Sequence, residues 1–404
     1  MKSIHAFKKV VCGISGGVDS AVAAAILKNR GFQVIGVYMS NWDDQDEQGT
    51  CQQRQVTDCS DAESVCSHLN IPFKKVSFVK EYWNDVFTTM LHDYGNGWTP
   101  NPDILCNRYV KFGKFYQYAI QELGADAIAT GHYAQTSFGN FLENFTPQRD
   151  VFLKKSVDYE KDQTLFLSSV EQAPLRRTMF PIGSLMKWQV RKLASTYGLN
   201  MVAKKRDSIG ICFIGDRKFP DFISDYLPDT AGPFIDLESG KVVGHHHGVH
   251  QWTIGQRSKV GGCKEPYFIA HRDSKSQNIY VVSGHDHPLL YSHAIQTSSI
   301  KWISKTAKVL RNGNRQFSCL FRFQHTKWKI PCLVQIDDKD SCYIRLAINT
   351  RAVTPGQQAV FYDGTVCLGS AKILWTDSLT KCCAIAKNLS VNYADPDSKA
   401  HVIN

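Results

Sequence analysis

The sequence predicts an α/β protein built from a doubly wound parallel-sheet domain, a small central domain and a C-terminal antiparallel β-barrel. Three observations carry this. Strand-like and helix-like runs alternate over roughly the first 170 residues, the pattern of a parallel sheet covered by helices on both faces. Turns at Pro181, Pro220, Pro228 and Pro233 interrupt the stretch from Gln172 to Gly284. From His287 to Leu374 short β-rich runs dominate, as in a small barrel. The expected boundaries are 1–171, 172–286 and 287–385, with a polar tail, 386–404, expected to fray.

In chain order, Val10–Ile14 is a short apolar run and Ala21–Arg30 a stretch of helix formers. Val34–Met39 reads as a second strand, Asp61–Leu69 as helix, Phe73–Val79 as strand and Glu81–Tyr94 as helix. Tyr109–Leu123 is a long amphipathic helix that precedes a strand at Ala125–Thr130. Ligands of such sheets bind beyond the C-terminal ends of the strands. Lys187–Tyr197 is the clearest helix of the middle part. The barrel strands are expected at Ala294–Ile303, Phe317–His325, Ile330–Ile336, Cys342–Ala347, Gln358–Tyr362 and Ala371–Trp375.

Composition is that of a soluble globular protein, with 43% hydrophobic and 21% charged residues. No run approaches the ~18–20 apolar residues of a membrane span, so no membrane partner is expected. The first 14 residues hold three lysines and no acid. They lack the apolar core of a secretory signal, and a first strand from Val10 leaves little room for an organellar leader. The 13 cysteines are scattered and odd in number, which points to free thiols in a reducing compartment. Net charge is +10, and no Asp or Glu occurs between Pro288 and Ile336. That stretch carries Lys301, Lys305, Lys308, Arg311, Arg315, Arg322, Lys327 and Lys329. It would attract a polyanion such as nucleic acid; a solvated basic surface is the plainer alternative. Trp302 and Trp328 lie within it and are expected to pack in the core rather than stack on bases.

The strongest local signal is Ser15-Gly16-Gly17-Val18-Asp19-Ser20, between an apolar strand and an Ala-rich helix. Glycines let a backbone approach an anion, serines offer hydroxyls, and a helix N-terminus offers N–H groups and a favourable dipole. The lysine of a Walker A loop is missing. The loop resembles the pyrophosphatase type, in which ATP is cleaved between its α and β phosphates and AMP passes to a carbonyl oxygen. Asp19 would then partner a Mg²⁺ held with the leaving pyrophosphate. Gly36–Met39 and Ala129–Tyr133 end neighbouring strands and are placed to complete the site.

Two cysteines stand out. Thr99-Pro100-Asn101-Pro102-Asp103-Ile104-Leu105-Cys106 is a proline-stiffened turn into a helix. A helix start lowers a thiol's pKa, while Asp103 opposes this if ionised, so Asp103 suits a proton carrier or substrate contact. The plain alternative makes Asp103 the helix cap and Cys106 a packed residue. Cys212 lies in the Gly-flanked apolar segment Ser208–Gly215 and gains interest only as a thiol that meets Cys106. The run Gly244–His250 is read as a polar loop rather than a metal site, since three adjacent histidines cannot face one ion from a strand, and no metal site is expected.

With SGGVDS, TPNPDILCN, ATGHYA, YEKDQTLFL and GICFIG in that order, the chain resembles the tRNA-specific 2-thiouridylase family, from about Val10 to Leu374. The segments Asn41–Cys51 and Val79–Phe87 look closer to the mitochondrial enzymes of eukaryotes, which implies a mitochondrial location. The resemblance implies that Gly13, Ile14, Ser15, Gly16, Gly17, Val18, Asp19 and Ser20 bind ATP, with Met39 and Gly131 adding contacts. It implies that Asn101, Pro102 and Asp103 touch the target base, that Cys106 is the nucleophile, and that Cys212 carries incoming sulfur as a persulfide. Lys161, Asp162 and Gln163, and Arg322 with Phe323 in the barrel, are implied to contact tRNA. Phe323 departs from the Tyr of many bacterial relatives. The implied reaction puts sulfur on C2 of a wobble uridine in tRNA, with Lys, Glu and Gln acceptors and an upstream persulfide donor.

Three other readings fit parts of this pattern. Amidating ligases share the loop but need no catalytic cysteine. An iron–sulfur thiolase would want three clustered cysteines. A tRNA-binding scaffold would make no AMP.

Overall fold

The computed structural model describes residues 7–42, 50–205, 214, 217–262, 264–304, 315–325, 328–338 and 340–392. Its first sheet is parallel, in the order Phe73–Ser77, Gln33–Ser40, Lys9–Gly13, Ala127–Ala129, Thr178–Met179. The central strand, Lys-Val-Val-Cys-Gly, is buried from Val10 onward, as expected of a strand covered on both faces. From it the chain moves first to one side, at Val10↔Val34, and later to the other, at Val10↔Ala127. The strand order therefore reverses there, and the crevice beyond such a reversal is where these sheets bind ligands. Ser15–Gly17 leaves the central strand at that point, and Gly131 follows its neighbour.

The helix after the loop, Val18–Asn29, buries Val18, Ser20, Ala21 to Ala25 and Leu27. Its small side chains let it lie close on the sheet. The sheet continues past residue 171: Thr178–Met179 is its fifth strand, and helix Lys187–Thr196 packs against helix Val18–Asn29. The segment assigned from sequence to the central domain thus begins within the first one. A short hairpin, Ala134–Thr136 with Leu153–Lys155, leaves the first domain and joins the barrel sheet through Leu153↔Cys367.

The central domain is a four-stranded sheet of Gly232–Asp236, Val242–His246, Tyr267–Asp273 and Asn278–Ser283. The barrel strands run Tyr291–Thr297, Gln316–Arg322, Ile330–Ile336, Cys342–Arg351, Gln358–Asp363 and Val366–Thr376, close to the expected places, with Lys301–Trp302 separate. The expected frayed tail starts instead as helix, Asp377–Asn392, with Ala386 buried and Leu389 packed beside it. An amphipathic spacing, Cys382, Ala386 and Leu389, explains this. Trp302 packs on Phe317 as expected, whereas Trp328 is 76% exposed. His246 and His250 are buried and engage the Gln277 carbonyl and Asp229. The described cysteines in the structure's free-thiol set include both members of the close pair Cys319 and Cys332, 3.5 Å apart across adjacent strands.

One buried ion pair joins barrel and first domain. Arg322 donates to Asp162 at 3.0 Å, with side chains 2% and 0% exposed. Thr164 donates to the same carboxylate, and Thr164 and Tyr362 share a hydroxyl–hydroxyl hydrogen bond. Removing one partner of such a pair strands a charge, whereas replacing both with apolar groups is often neutral. Arg322→Met is therefore expected to destabilise the protein by about 3–5 kcal/mol. Adding Asp162→Leu is expected to restore much of that, as read from the midpoint of urea unfolding.

Candidate active site

A cavity of about 420 Å³ opens at the strand-order reversal, within the range of small-ligand sites. It brings together Gly13, Ile14, Ser15, Gly17, Val18, Asp19, Ser20, Met39, Gly131, Lys161 and Gln163 of the residues expected from sequence. The two loop glycines do different jobs. Gly16 sits at φ +74°, and a Cβ there would lie 2.3 Å from the Asp58 carbonyl. Its missing side chain makes room for the packing of helix Thr50–His68. Gly17 is the N-cap of the next helix, with no side-chain cap, and its Cβ position is nearly open. That combination leaves the helix start clear for an anion such as a phosphate. Ser20 braces the loop: its hydroxyl donates to the Gly17 carbonyl and accepts from the Ser15 amide, both at 3.1 Å. Across the cavity, a Cβ on Gly131 would sit 2.5 Å from the Ser20 nitrogen, so only glycine fits.

The lysine missing from the loop is supplied from elsewhere. Lys187 donates to both Asp19 oxygens, at 2.8 and 2.9 Å, and the Tyr133 hydroxyl donates to Asp19 at 2.9 Å. Lys205 donates to the Gly16 carbonyl at 3.1 Å and to Asp58 and Asp61 at 2.6 Å each. Burial opposes its charge, yet its hydrogen bonds to those two carboxylates, with their negative charge, prevail and hold Lys205 above the usual lysine value. Sequence reasoning missed Lys187 and Lys205, and reached Tyr133 only as the end of the segment Ala129–Tyr133. The signal available was the absence of a loop lysine, which required a cation from another segment.

The second half of the site is the turn that begins at Thr99. Asn101 caps a helix start through a 3.2 Å bond from the Asp103 amide, with Pro102 in the first turn. The cap is thus Asn101 and not Asp103. Three domains hold this turn. Arg272 of the central domain donates to the Gly97 carbonyl and the Thr99 hydroxyl, at 2.6 and 2.8 Å. From the barrel, Gln357 donates to the Thr99 carbonyl, and the Thr99 amide donates to the Pro355 carbonyl, both at 3.0 Å. Gly356 permits the approach, since a Cβ there would meet Thr99 nitrogen at 2.7 Å.

Cys106 is buried and does not line the cavity itself. Lys111, from the same helical run, does. Burial pushes the Cys106 thiol up to about 11; Lys111 pulls it down and Asp103 pushes it further up. Burial also raises Asp103, against the pull of Lys111. His132 packs at a tilt against Phe112, ring centroids 5.7 Å apart, and bonds to Thr130 at 2.8 Å. Burial, helped by Lys111, holds His132 well below its usual value, so its imidazole is neutral. Asn101 lines a second cavity of about 530 Å³ with Arg108, Lys301 and Lys372. Cys212 and its segment lie outside the described residues, apart from Ile214. Lys161 and Gln163 face the first cavity, with Gln163 accepting from the Tyr133 amide at 2.9 Å. Asp162, Arg322 and Phe323 are buried. As placed, Asp162 and Arg322 spend their charges on each other and hold Lys161 and Gln163 in position, and Phe323 stacks on Phe321; none of the three presents its side chain to a polyanion.

A phosphate-binding loop and a lysine-lined wall fit a nucleoside triphosphate. Gly131→Ala is expected to weaken ATP binding about tenfold or more, a loss of ~1.4 kcal/mol. Gly95→Ala, where a Cβ meets nothing within 4 Å, is expected to leave it unchanged. Calorimetric titration with a non-hydrolysable ATP analogue reads both.

The comparisons agree along the chain. Residues 8–216 match the model described as tRNA methyl transferase HUP domain, 220–283 its PRC-barrel domain, and 292–373 the aminomethyltransferase beta-barrel domain. The chain is 47% identical to "Mitochondrial tRNA-specific 2-thiouridylase 1" of Drosophila melanogaster, covering 93% of this chain and 96% of that one. It is 45% identical to the protein of the same name in Homo sapiens, covering 92% and 91%. A tRNA-specific 2-thiouridylase of Alkaliphilus oremlandii is 42% identical, covering 90% and 96%. The domain descriptions mention methyl transfer, but relatives matched over nearly their full length carry the 2-thiouridylase name. On that evidence the chain belongs to the tRNA-specific 2-thiouridylase family.

Proposed function

We propose that this protein uses ATP to replace the O2 oxygen of a uridine in tRNA with sulfur, at the wobble position 34. The observation that carries the reading is one cavity bounded by an anion-binding loop on one side and, on the other, by Lys111 of the helical run that carries Cys106. O2 of uracil is a poor leaving group. Its attack on the α phosphate of ATP expels pyrophosphate and leaves AMP on O2, which turns the oxygen into a good leaving group and makes C2 more electrophilic. The start of helix Val18–Asn29, with Lys187 and Lys205, holds the phosphates. Asp19 has the chemistry of a Mg²⁺ ligand, and Mg²⁺ would neutralise the departing pyrophosphate; Lys187 must first release that carboxylate.

Sulfur arrives as a persulfide on Cys212, loaded by a donor linked to a cysteine desulfurase. The terminal sulfur attacks C2 and AMP leaves. Either Cys106 first takes the Cys212 sulfur and frees hydrosulfide, or it afterwards cleaves the adduct joined to Cys212. Both routes balance as one Cys106–Cys212 disulfide per thiouridine, which an external thiol must reduce. The base leaves its stack to reach the pocket. Asn101, Pro102 and Asp103 meet it, while Lys161 and Gln163 contact the RNA; the buried Asp162, Arg322 and Phe323 shape that surface from below. The acceptors of this reading are tRNAs for Lys, Glu and Gln. The mitochondrial names of the relatives favour a mitochondrial site of action.

The test incubates purified protein with ATP, Mg²⁺, a persulfide donor and unmodified tRNA, and measures nucleosides by mass spectrometry. Wild type is expected to form 2-thiouridine and AMP. Cys106→Ser and Cys212→Ser are expected to form none of the thiouridine, with pyrophosphate release retained in Cys212→Ser. Thiouridine persisting in Cys106→Ser would sink the reading.

A further inference from the structure

The helical run behind the cavity is not uniform. It begins with one α-helical turn, Pro102–Leu105, and is π-helical from Cys106 to Lys114. A π-helix bonds each residue to the one five ahead, and such stretches are rare and concentrated at functional sites. In an α-helix, residues five apart point about 140° away from each other. The wider turn brings them back onto one face. The residue five after Cys106 is Lys111. Gly113, whose Cβ position lies 3.1 Å from the carbonyl five residues earlier on Arg108, eases that wide turn.

Lys111 also reaches the cavity that holds the nucleotide loop, which Cys106 does not. Its charge acts on each titratable group of that corner. It lowers Cys106 and Asp103 against burial, and adds to the burial that keeps His132 neutral. Asp103 works in the opposite sense on the thiol. The balance matters because a thiol near 11 is ionised in only on the order of one molecule in ten thousand at neutral pH. Without the lysine the fraction falls further, and the thiolate is the reactive form.

We propose that Lys111 is a positioning residue for the sulfur step: the π-helical register sets its ammonium beside Cys106 as counter-ion of the thiolate. The inference rests on the reading of Cys106 as the nucleophile. It is tested on the full chain without RNA, by alkylating Cys106 with iodoacetamide across pH 7–11 and following the labelled peptide by mass spectrometry. Lys111→Met is expected to slow alkylation about tenfold at each pH below about 10, with Lys111→Arg keeping the rate near wild type. Lys114→Met, in the same run, is the control and is expected not to move it. In the thiolation assay, Lys111→Met is expected to lower kcat about tenfold while KM for tRNA stays within about twofold. If Lys111→Met does not fold, Lys111→Gln carries the same measurement. An unmoved alkylation profile overturns the proposal, as does a loss of ATP affinity with Cys106 reactivity intact, which makes Lys111 a phosphate ligand. A shifted profile in a protein that forms no thiouridine upholds the pairing of Lys111 with Cys106 and defeats the function proposed above, and with it the role of that pair in a sulfur step.

Discussion

The turn from Thr99 to Asp103 is gripped by all three domains, and the placement of Cys106 depends on that grip. Arg272 supplies the contact from the central domain. It is buried, and burial pushes its guanidinium down to about 10, against the pull of Tyr94. A charge in that setting persists only where carbonyls and hydroxyls surround it, and Gly97, Thr99 and Trp252 provide them. Because the barrel bonds the same turn through Pro355 and Gln357, neither outer domain can move without disturbing Asn101, Pro102 and Asp103. Lys372, which bonds Asp93 at 2.7 Å and lies over Trp98, stiffens the helix leading into the turn. The prolines and the Asn101 cap then set the direction in which the next helix leaves.

The opposite wall of the site is held by charge rather than by packing. Asp19, Asp58 and Asp61 keep Lys187 and Lys205 beside the loop. A loop with its own lysine has its cation wherever the loop goes. Here the cations come from segments nearly 170 and 190 residues away in sequence, so the loop is charged for phosphate only when the second half of the domain is folded onto it. The carboxylates also give the lysines partners before a triphosphate arrives. Binding then exchanges one set of charge-assisted hydrogen bonds for another and avoids stranding a buried charge.

Much of this was legible in the sequence, for definite reasons. The apolar run at Val10, the Gly-Gly turn and the Ala-rich helix each have a local cause, so the loop and its sheet could be read directly. The barrel strands announced themselves by β-branched and aromatic alternation. What escaped reading depends on contacts distant in sequence. The two-residue strand Thr178–Met179 carries no periodicity, so the boundary at 171 fell inside the domain. Gly16 and Gly17 look equivalent in sequence and differ only because Asp58 sits behind one of them. Asp162 and Arg322 carry charges that suggest a surface, and only folding shows that they face each other. The π-helical register at Cys106 leaves no compositional mark, which is why Lys111 was passed over.

The burial of Cys106 follows from the chemistry proposed for this site. A uridine carrying AMP on O2 is as open to water as to sulfur, and an exposed thiolate is open to any oxidant. A thiol kept protonated by burial is protected until substrate arrives. The penalty is low nucleophilicity, which a nearby fixed cation offsets more effectively in a dry pocket than in water, because screening is weaker there. Placement near the helix start does not keep the thiol low: burial raises it, Asp103 adds to that, and Lys111 is the influence that lowers it. The arrangement therefore trades resting reactivity for control, and the fold meets that demand by placing Cys106 behind the cavity wall and Lys111 on it.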